Sequence, residues 1–405
     1  MNAADTAFIL LCSAFVMLMT PGLALFYAGM TRSKNVLSTI MQSFIALGLI
    51  TMVWILWGYS LSFGKDIGGV IGGLNFLGLA NVGMEPNADL AGNIPHMAFM
   101  IFQCMFAIIT PALISGAFAE RMKFSAFLIF SVAWCTLVYS PLCHWVWGGG
   151  WMGAMGALDF AGGAVVHMSS GAAALAAAIV IGKRKGYGKR SFIPHNLPMT
   201  VLGAGLLWFG WFGFNSGSAL AVNGLAANAF VTTHIAAAAA ALSWIFVEWK
   251  HHGMPTTLGA ASGAVAGLVA ITPAAGFVGT TSALIIGLVA GGLCYFGVTA
   301  KSRFGYDDSL DVVGIHGLGG IWGALATGLF ASTAINPDGA DGLFFGNPAQ
   351  LWIQFVSVVA TCVFSFIVTY IILKALNSWI GIRVTPEQEE AGMDISQHSE
   401  TGYQS

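Results

Sequence analysis

Apolar windows of about twenty residues, each long enough to cross a hydrocarbon layer as a helix, recur along the whole 405-residue chain. Broken by charges or turn residues, they predict eleven spans, at roughly 6–31, 36–62, 96–119, 124–143, 162–182, 199–217, 225–249, 255–273, 279–299, 312–332 and 350–380. Inside lipid a spanning helix satisfies its own backbone donors and acceptors. The expected class is therefore an all-α integral membrane protein. With 57% hydrophobic and 8% charged residues, and a mean hydropathy of +0.80, one soluble core cannot hide the apolar surface.

The few basic residues set the orientation. Arg32, Lys34, Arg121, Lys123, the cluster from Lys183 to Arg190, Lys250, Lys301 and Arg303 fall in alternate loops, and Lys374 and Arg383 end on the same side. Only Lys65 of the fifteen falls opposite. The positive-inside rule then expects a multi-pass membrane protein with its N-terminus outside and its C-terminus in the cytoplasm. An outside N-terminus raises a cleaved signal peptide, yet "MNAADTAF" lacks a basic n-region, so the chain is expected to begin after one was removed or replaced. Basic residues spread this thinly make no nucleic-acid patch. The six cysteines, at 12, 104, 135, 143, 294 and 362, lie in apolar stretches without metal-ligand or CxxC spacing and read as packing residues.

One histidine, His167, sits in "GGAVVHMSSG" amid glycine, alanine and valine. Five spans later His316 occupies "DVVGIHGLGG". Each has an aspartate eight residues before it (Asp159, Asp308) and small residues three and four after it (Ser170 and Gly171, Gly319 and Gly320). "IITPALISGA" at 108–117 and "AITPAAGFVG" at 270–279 are also five spans apart. An odd number of spans per copy makes the copies run in opposite directions, as in many transporters. The expected architecture is an inverted five-plus-five repeat plus a final long helix. The two rings could then meet near the midplane, where small residues on the same helix face allow close approach. An imidazole stripped of water is held neutral, able both to donate and to accept. A lone membrane histidine ordinarily bonds a serine or carbonyl on a neighbouring helix; two in matched positions suggest use.

The stretches "TPGLALFYAGM", "FQCMF", "WVWGGGW", "LDFAGGAVVH", "HNLPM", "WFGFNSGSA" and "DVVGIHG", in this order over nearly the whole chain, resemble the ammonium transporter (Amt/Mep/Rh) family, in particular its bacterial Amt branch. That resemblance implies an eleven-helix homotrimer with one pore through each subunit. It places an outer recruitment site on Phe106, Trp147 and Ser218, with Phe102 alongside. It places a stacked gate on Phe106 and Phe214, twin pore histidines on His167 and His316, and a structural acid on Asp159. It implies ammonium or ammonia as substrate, with methylammonium a further candidate, and no cofactor or metal.

Chemistry gives these groups reasons. An aromatic cage attracts a cation through the ring quadrupole by about 0.5–2 kcal/mol, and a hydroxyl accepts one N–H. A bare ion in an apolar pore costs several kcal/mol. Ammonium can leave its proton and cross as ammonia, whereas potassium has no such option. The same residues have ordinary roles too: Trp145, Trp147 and Trp151 as an interfacial belt, Phe102 and Phe106 as one packed helix face, Ser218 bonding a carbonyl, and Asp159 as a helix N-cap. His195, His251 and His252 fall in cytoplasmic loops with no assigned role.

A membrane haem protein would need several matched histidine pairs, which the spans lack. A neutral-solute or gas channel would show no preference for ammonium. No nucleotide loop or clustered acid–base set suggests an enzyme. The chain divides into a transport domain, 1–383, and a cytoplasmic tail, 384–405, with five acidic residues and no Lys or Arg. Composition describes a solvated end. The family resemblance implies instead a tail folded on the inner face that helps a PII-class nitrogen-signalling protein dock.

Overall fold

Ten helices of the computed structural model are long and apolar enough to cross a membrane, among the described residues 1–403. They are α1 (Ala3–Met30), α2 (Ser33–Phe63), α3 (His96–Phe118), α4 (Phe124–Ala154), α5 (Gly163–Ile181), α6 (Leu197–Gly217), α7 (Gly224–His252), α9 (Thr280–Phe304), α10 (Val313–Phe330) and α11 (Pro348–Trp379). Between the seventh and ninth lies a shorter apolar helix, α8 (Thr257–Ile271). Positions 404 and 405, the end of the tail 384–405, lie outside the described residues.

Each element begins and ends for a local reason. Asn2 caps α1 by accepting from the Ala4 and Asp5 N–H groups, and Asn196 caps α6 through Met199 N. Helix α8 ends before Thr272–Pro273, where the chain continues as turns. The matching Thr110–Pro111 stays inside α3. Both threonines bond back to the carbonyl four residues earlier, Phe106 O at 2.6 Å and Leu268 O at 2.7 Å.

The fourth span corrects its sequence boundary of 143. Helix α4 continues through Trp147, bends at Gly148–Gly150 and resumes at Trp151. His144, the first residue beyond that boundary, has both ring nitrogens bonded inside the protein.

Helices α1 and α6 cross without side-chain spacers: a Cβ on Gly203 would stand 2.2 Å from Phe26 N. The same device joins α5 to α10, where a Cβ on Gly171 would come within 2.3 Å of Gly317 Cα. Between α2 and α3 the chain forms two small antiparallel hairpins. One pairs β1 (Asp66–Ile67) with β2 (Ile71–Gly72), and the other pairs β3 (Pro86–Asn87) with β4 (Ala91–Pro95).

At the opposite face the basic loops are gathered by buried ion pairs. Arg184 spans Glu120 and Asp307, at 3.0 and 2.8 Å, while Arg32 reaches the other oxygen of Glu120. Arg121, fully buried, donates to the carbonyls of Gly182, Ala119, Ala117 and Asp307 and to Ser309 Oγ. The tail is not a solvated end. A Thr385–Gln388 capping box starts a short helix, α12 (Pro386–Ala391). Beyond it the Asp394 carboxylate accepts from the Leu37 and Ser38 N–H groups at the start of α2. Hydrogen bonds to the basic face hold this segment, together with the buried side chains of Val384 and Met393.

Candidate functional site

At the face carrying the two hairpins, a cavity of about 190 Å³ is lined by Phe106, Trp147, Ser218, Phe160, Gln103 and Asp89, among others. Phe106 and Gln103 come from α3, Trp147 from the end of α4, and Ser218 caps α6. The Phe106 and Trp147 rings stand edge to face at 6.0 Å. Trp147 is oriented by its indole N–H, which donates to Asp159 O at 2.9 Å. Ser218 Oγ donates to Phe214 O at 2.9 Å, so its oxygen lone pairs stay free to accept.

Phe102 departs from its expected place. It lies behind Phe106, at 4.9 Å edge to face, fully buried and off the cavity wall. Its i,i+4 spacing put both rings on one helix face, but Gly217 leaves room for Phe102 against α6: a Cβ there would meet its ring at 2.8 Å. The indole of Trp145 is also buried and donates to Val70 O at 2.7 Å, so it is no lipid-facing belt.

Below the cavity the Phe106 and Phe214 rings overlap at 4.1 Å. This leaves no open passage between them. Beyond lie His167 and His316, with Nδ1 atoms 3.3 Å apart. The Trp211 ring stacks on His167 at 5.3 Å and is fixed by its own N–H to Thr272 Oγ1 at 2.8 Å. Met19, Leu23, Leu113, Leu207 and Val265 complete an apolar lining around the pair. The free space there is about 10 Å³, the threshold for one water-sized molecule.

Each histidine occupies a wide helical turn, Gly163–Met168 and Val313–Gly317, in which bonds run to the fifth residue back. His167 N donates to Gly162 O at 3.1 Å. Such turns shift the side chain off the regular helix register, a recurrent feature of functional positions. Asp159 anchors the first turn by accepting from Gly162, Gly163 and Ala164 N–H groups at 2.6–2.8 Å. Burial pushes its carboxyl upward and those donors pull it back. Asp308 does the same for the second turn through Val313 N at 2.8 Å. Its carboxyl is pushed up to about 6, chiefly by burial. Asp159 thus satisfies the first N–H groups of the turn from three residues before its N-cap, Gly162.

The pair has a definite hydrogen-bond logic. One Nδ1 must donate and the other accept, so the donor ring presents a bare Nε2 and the acceptor ring an Nε2–H. The line therefore offers one acceptor and one donor at its ends. The Nε2 of His167 has no partner within the protein.

Gln103 and Asp89 were missed as lining residues. Gln103 falls inside "FQCMF", between the two phenylalanines singled out, and its Oε1 has no partner. Asp89 sits in a hairpin loop that carries no motif. Among the described residues no group of three or more His, Cys, Asp or Glu side chains could hold a metal. His195 bonds Thr31 O and Tyr403 at the tail. His251 and His252 belong to the last turn of α7 rather than a loop.

The sequence matches the model of the Ammonium Transporter Family over residues 7–403. An "Ammonium transporter" of Bacillus subtilis is 56% identical over 405 residues, covering 100% of this chain and 99% of that protein. "Ammonium transporter Amt1" of Archaeoglobus fulgidus is 49% identical over 403 residues, covering 100% of both. Among solved structures, Mep2 of Candida albicans superposes with a TM-score of 0.90 at 38% identity, covering 96% of this chain and 87% of that one.

Proposed function

As the chain belongs to the ammonium transporter family, we propose that it recruits ammonium at the Phe106–Trp147–Ser218 cavity, takes off one proton and conducts ammonia past His167 and His316. The observation that carries this reading is the closed Phe106–Phe214 pair, 4.1 Å apart, standing between a cation-compatible aromatic cavity and a narrow apolar pore. Cation and π faces attract while the ion keeps part of its water. Going further bare would cost several kcal/mol.

Ammonium escapes that cost by losing a proton. Ammonia fits the space beside the histidines and finds there one donor and one acceptor. Potassium meets the same rings and the same apolar lining with no proton to shed. The proton either returns to the outer solution or follows through the linked imidazoles, and these routes differ in charge moved per substrate.

The protein is a multi-pass membrane transporter, and we assign it eleven crossings, counting α8, with its N-terminus outside and its tail in the cytoplasm of an inner membrane. The matched turns around His167 and His316, and the paired Thr–Pro sequences of α3 and α8, support an inverted five-helix repeat closed by α11. By family we further assign a homotrimer, a transport unit at 1–383, and a regulatory tail that receives a PII-class protein. Current recorded from proteoliposomes given ammonium or potassium pulses tests the reading. Current or alkalinisation with ammonium alone supports it; equal permeation of potassium or of neutral solutes of similar size overturns it.

A further inference from the structure

We propose that His144 is held as an imidazolium by Asp66, and that this buried pair positions Trp147 by fastening the β1–β2 hairpin over the end of α4. The proposal rests on the reading of Trp147 as part of the cation cavity.

The ring of His144 is fully buried, and both its nitrogens face oxygen. Nδ1 meets the Ser62 carbonyl at 2.9 Å and Nε2 meets Asp66 Oδ1 at 2.8 Å. A carbonyl can only accept, so Nδ1 carries hydrogen. An ionised carboxylate can only accept as well. Asp66 has the surroundings of an ionised acid: its side chain is 42% exposed, and its two oxygens accept the Gly69 N–H at 2.8 and 3.1 Å. Nε2 therefore carries hydrogen too, and a ring protonated at both nitrogens is a cation. A neutral ring would point one bare nitrogen at an oxygen lone pair, without water to intervene. Hydrogen bonding from His144 in turn holds the Asp66 carboxyl below its ordinary range.

The pair lies at the root of the segment that presents Trp147. Gly150 N donates to His144 O at 2.9 Å, and Trp151 N donates to Gly69 O of the hairpin at 3.0 Å. Gly148 passes so close that a Cβ would stand 2.0 Å from Ser62 O and 2.6 Å from His144 Nδ1. Residues 144–151 are thus clamped to the hairpin on one side, while the Trp147 indole is tied to Asp159 O on the other. Other titratable groups on the elements packed here are Lys65, beside Asp66, and Tyr59 of α2, whose hydroxyl bonds His96 of α3. Neither Lys65 nor Tyr59 hydrogen-bonds the His144 ring, so among the described residues Asp66 is its one paired counter-charge.

Nitrogen-15 NMR of the full-length protein in lipid reads the charge directly, with the His144 signals assigned by their loss in His144→Gln. Hydrogen on both ring nitrogens at pH 7 is expected; a bare ring nitrogen in the wild-type protein overturns the imidazolium. Methylammonium uptake by Asp66→Asn reads the positioning role. It should raise KM about three- to tenfold with kcat within about twofold, while an unchanged KM, or an equal loss in kcat, overturns it. If the wild-type protein takes up neither ammonium nor methylammonium, the transport reading fails, whereas the ring protonation is still decided by the spectrum.

Discussion

His167 and His316, 149 residues apart in sequence, share one hydrogen between Nδ1 atoms 3.3 Å apart, at the point where Gly171 and Gly320 let α5 and α10 nearly touch. A Cβ on Gly320 would reach 3.2 Å from the His167 Cβ itself. The two rings are the polar line in an otherwise apolar passage. Replacing either one with Ala should leave a folded oligomer but remove a hydrogen bond to the crossing amine, worth about 0.5–1.5 kcal/mol. The expected result is ammonium flux reduced by about two- to tenfold or more, with weaker exclusion of potassium as the space widens. Stopped-flow alkalinisation and potassium current in proteoliposomes measure both. Normal flux and selectivity in both single variants would reduce the histidines to packing.

Phe214 closes the path between cavity and histidines, with its ring 4.1 Å from Phe106 and 6.2 Å from His167. Its Ala variant joins the two spaces. Flux should be abnormal and ion leak raised, as the dehydration step is bypassed. For Phe106→Ala the cage loses a π face, and the apparent KM should rise about two- to thirtyfold from the loss of about 0.5–2 kcal/mol. Unchanged transport in Phe214→Ala removes the gate assignment.

Ten of the spans were legible because a lipid-crossing helix must be apolar for about twenty residues, whereas the window at 255–273 yields only the shorter helix α8. Boundaries failed where polar residues are satisfied inside the protein, as with His144 at the end of α4. The histidine pair was legible from its matched Asp and small-residue spacing, since each partner has a local mechanical reason: Asp159 and Asp308 cap the wide turns, and the glycines permit contact. Phe102, which the resemblance put alongside the recruitment site, lies beside Phe106 but off the cavity wall, since helical spacing gives a face but not which of two rings on that face reaches the cavity. Gln103, Asp89 and the His144–Asp66 pair were illegible, since hairpin loops and helix ends meet only through tertiary folding. The tail's acidic composition pointed to solvent. Its ordering depends on basic-face partners far away in sequence, such as Lys185 N, which donates to Glu389 at 2.6 Å.

The Arg184 cluster supplies a stability prediction. Arg184 donates to both oxygens of buried Asp307 and to Glu120. Removing it leaves two buried carboxylates short of a cation, so Arg184→Ala should destabilise the protein by about 3–5 kcal/mol. Burial alone would raise the Glu120 and Asp307 carboxyls, but Arg184, with Arg32 and Arg121, outweighs it and both are held below their ordinary values of 4.5 and 3.8. Depressed carboxyls stabilise the folded state above those values and lose that contribution as pH falls through the lowered ones. Thermal unfolding in detergent should therefore show wild-type stability falling below about pH 4.5, with a shallower fall in Arg184→Ala. A variant with the wild-type midpoint and acid profile would show that the cluster does not hold these loops.

The tail gives the last prediction. Glu389 is buried against Arg383 at 2.8 Å, and Asp394 caps α2 through the Leu37 and Ser38 N–H groups at 3.0 and 2.8 Å. Lys185, Arg190 and Lys34 also reach Glu390. A partner inserting into this face would meet Lys and Arg side chains able to form charge-assisted hydrogen bonds, with the tail fixing the loops that carry them. Truncation after Arg383 removes every tail contact beyond that residue but no apolar span, so insertion and trimer formation should persist. Losing the α2 cap should cost about 0.5–2 kcal/mol, and Asp394→Ala should expose residues 386–403 to faster protease cleavage while keeping the chain length. PII association, or its control of flux, should weaken in the truncated protein and, to a lesser degree, in Asp394→Ala. Co-purification with the cognate PII protein and uptake assays on all three forms measure this. Equal binding and equal inhibition in the truncated and full-length proteins would make the tail a bystander to regulation, held on the inner face for stability alone.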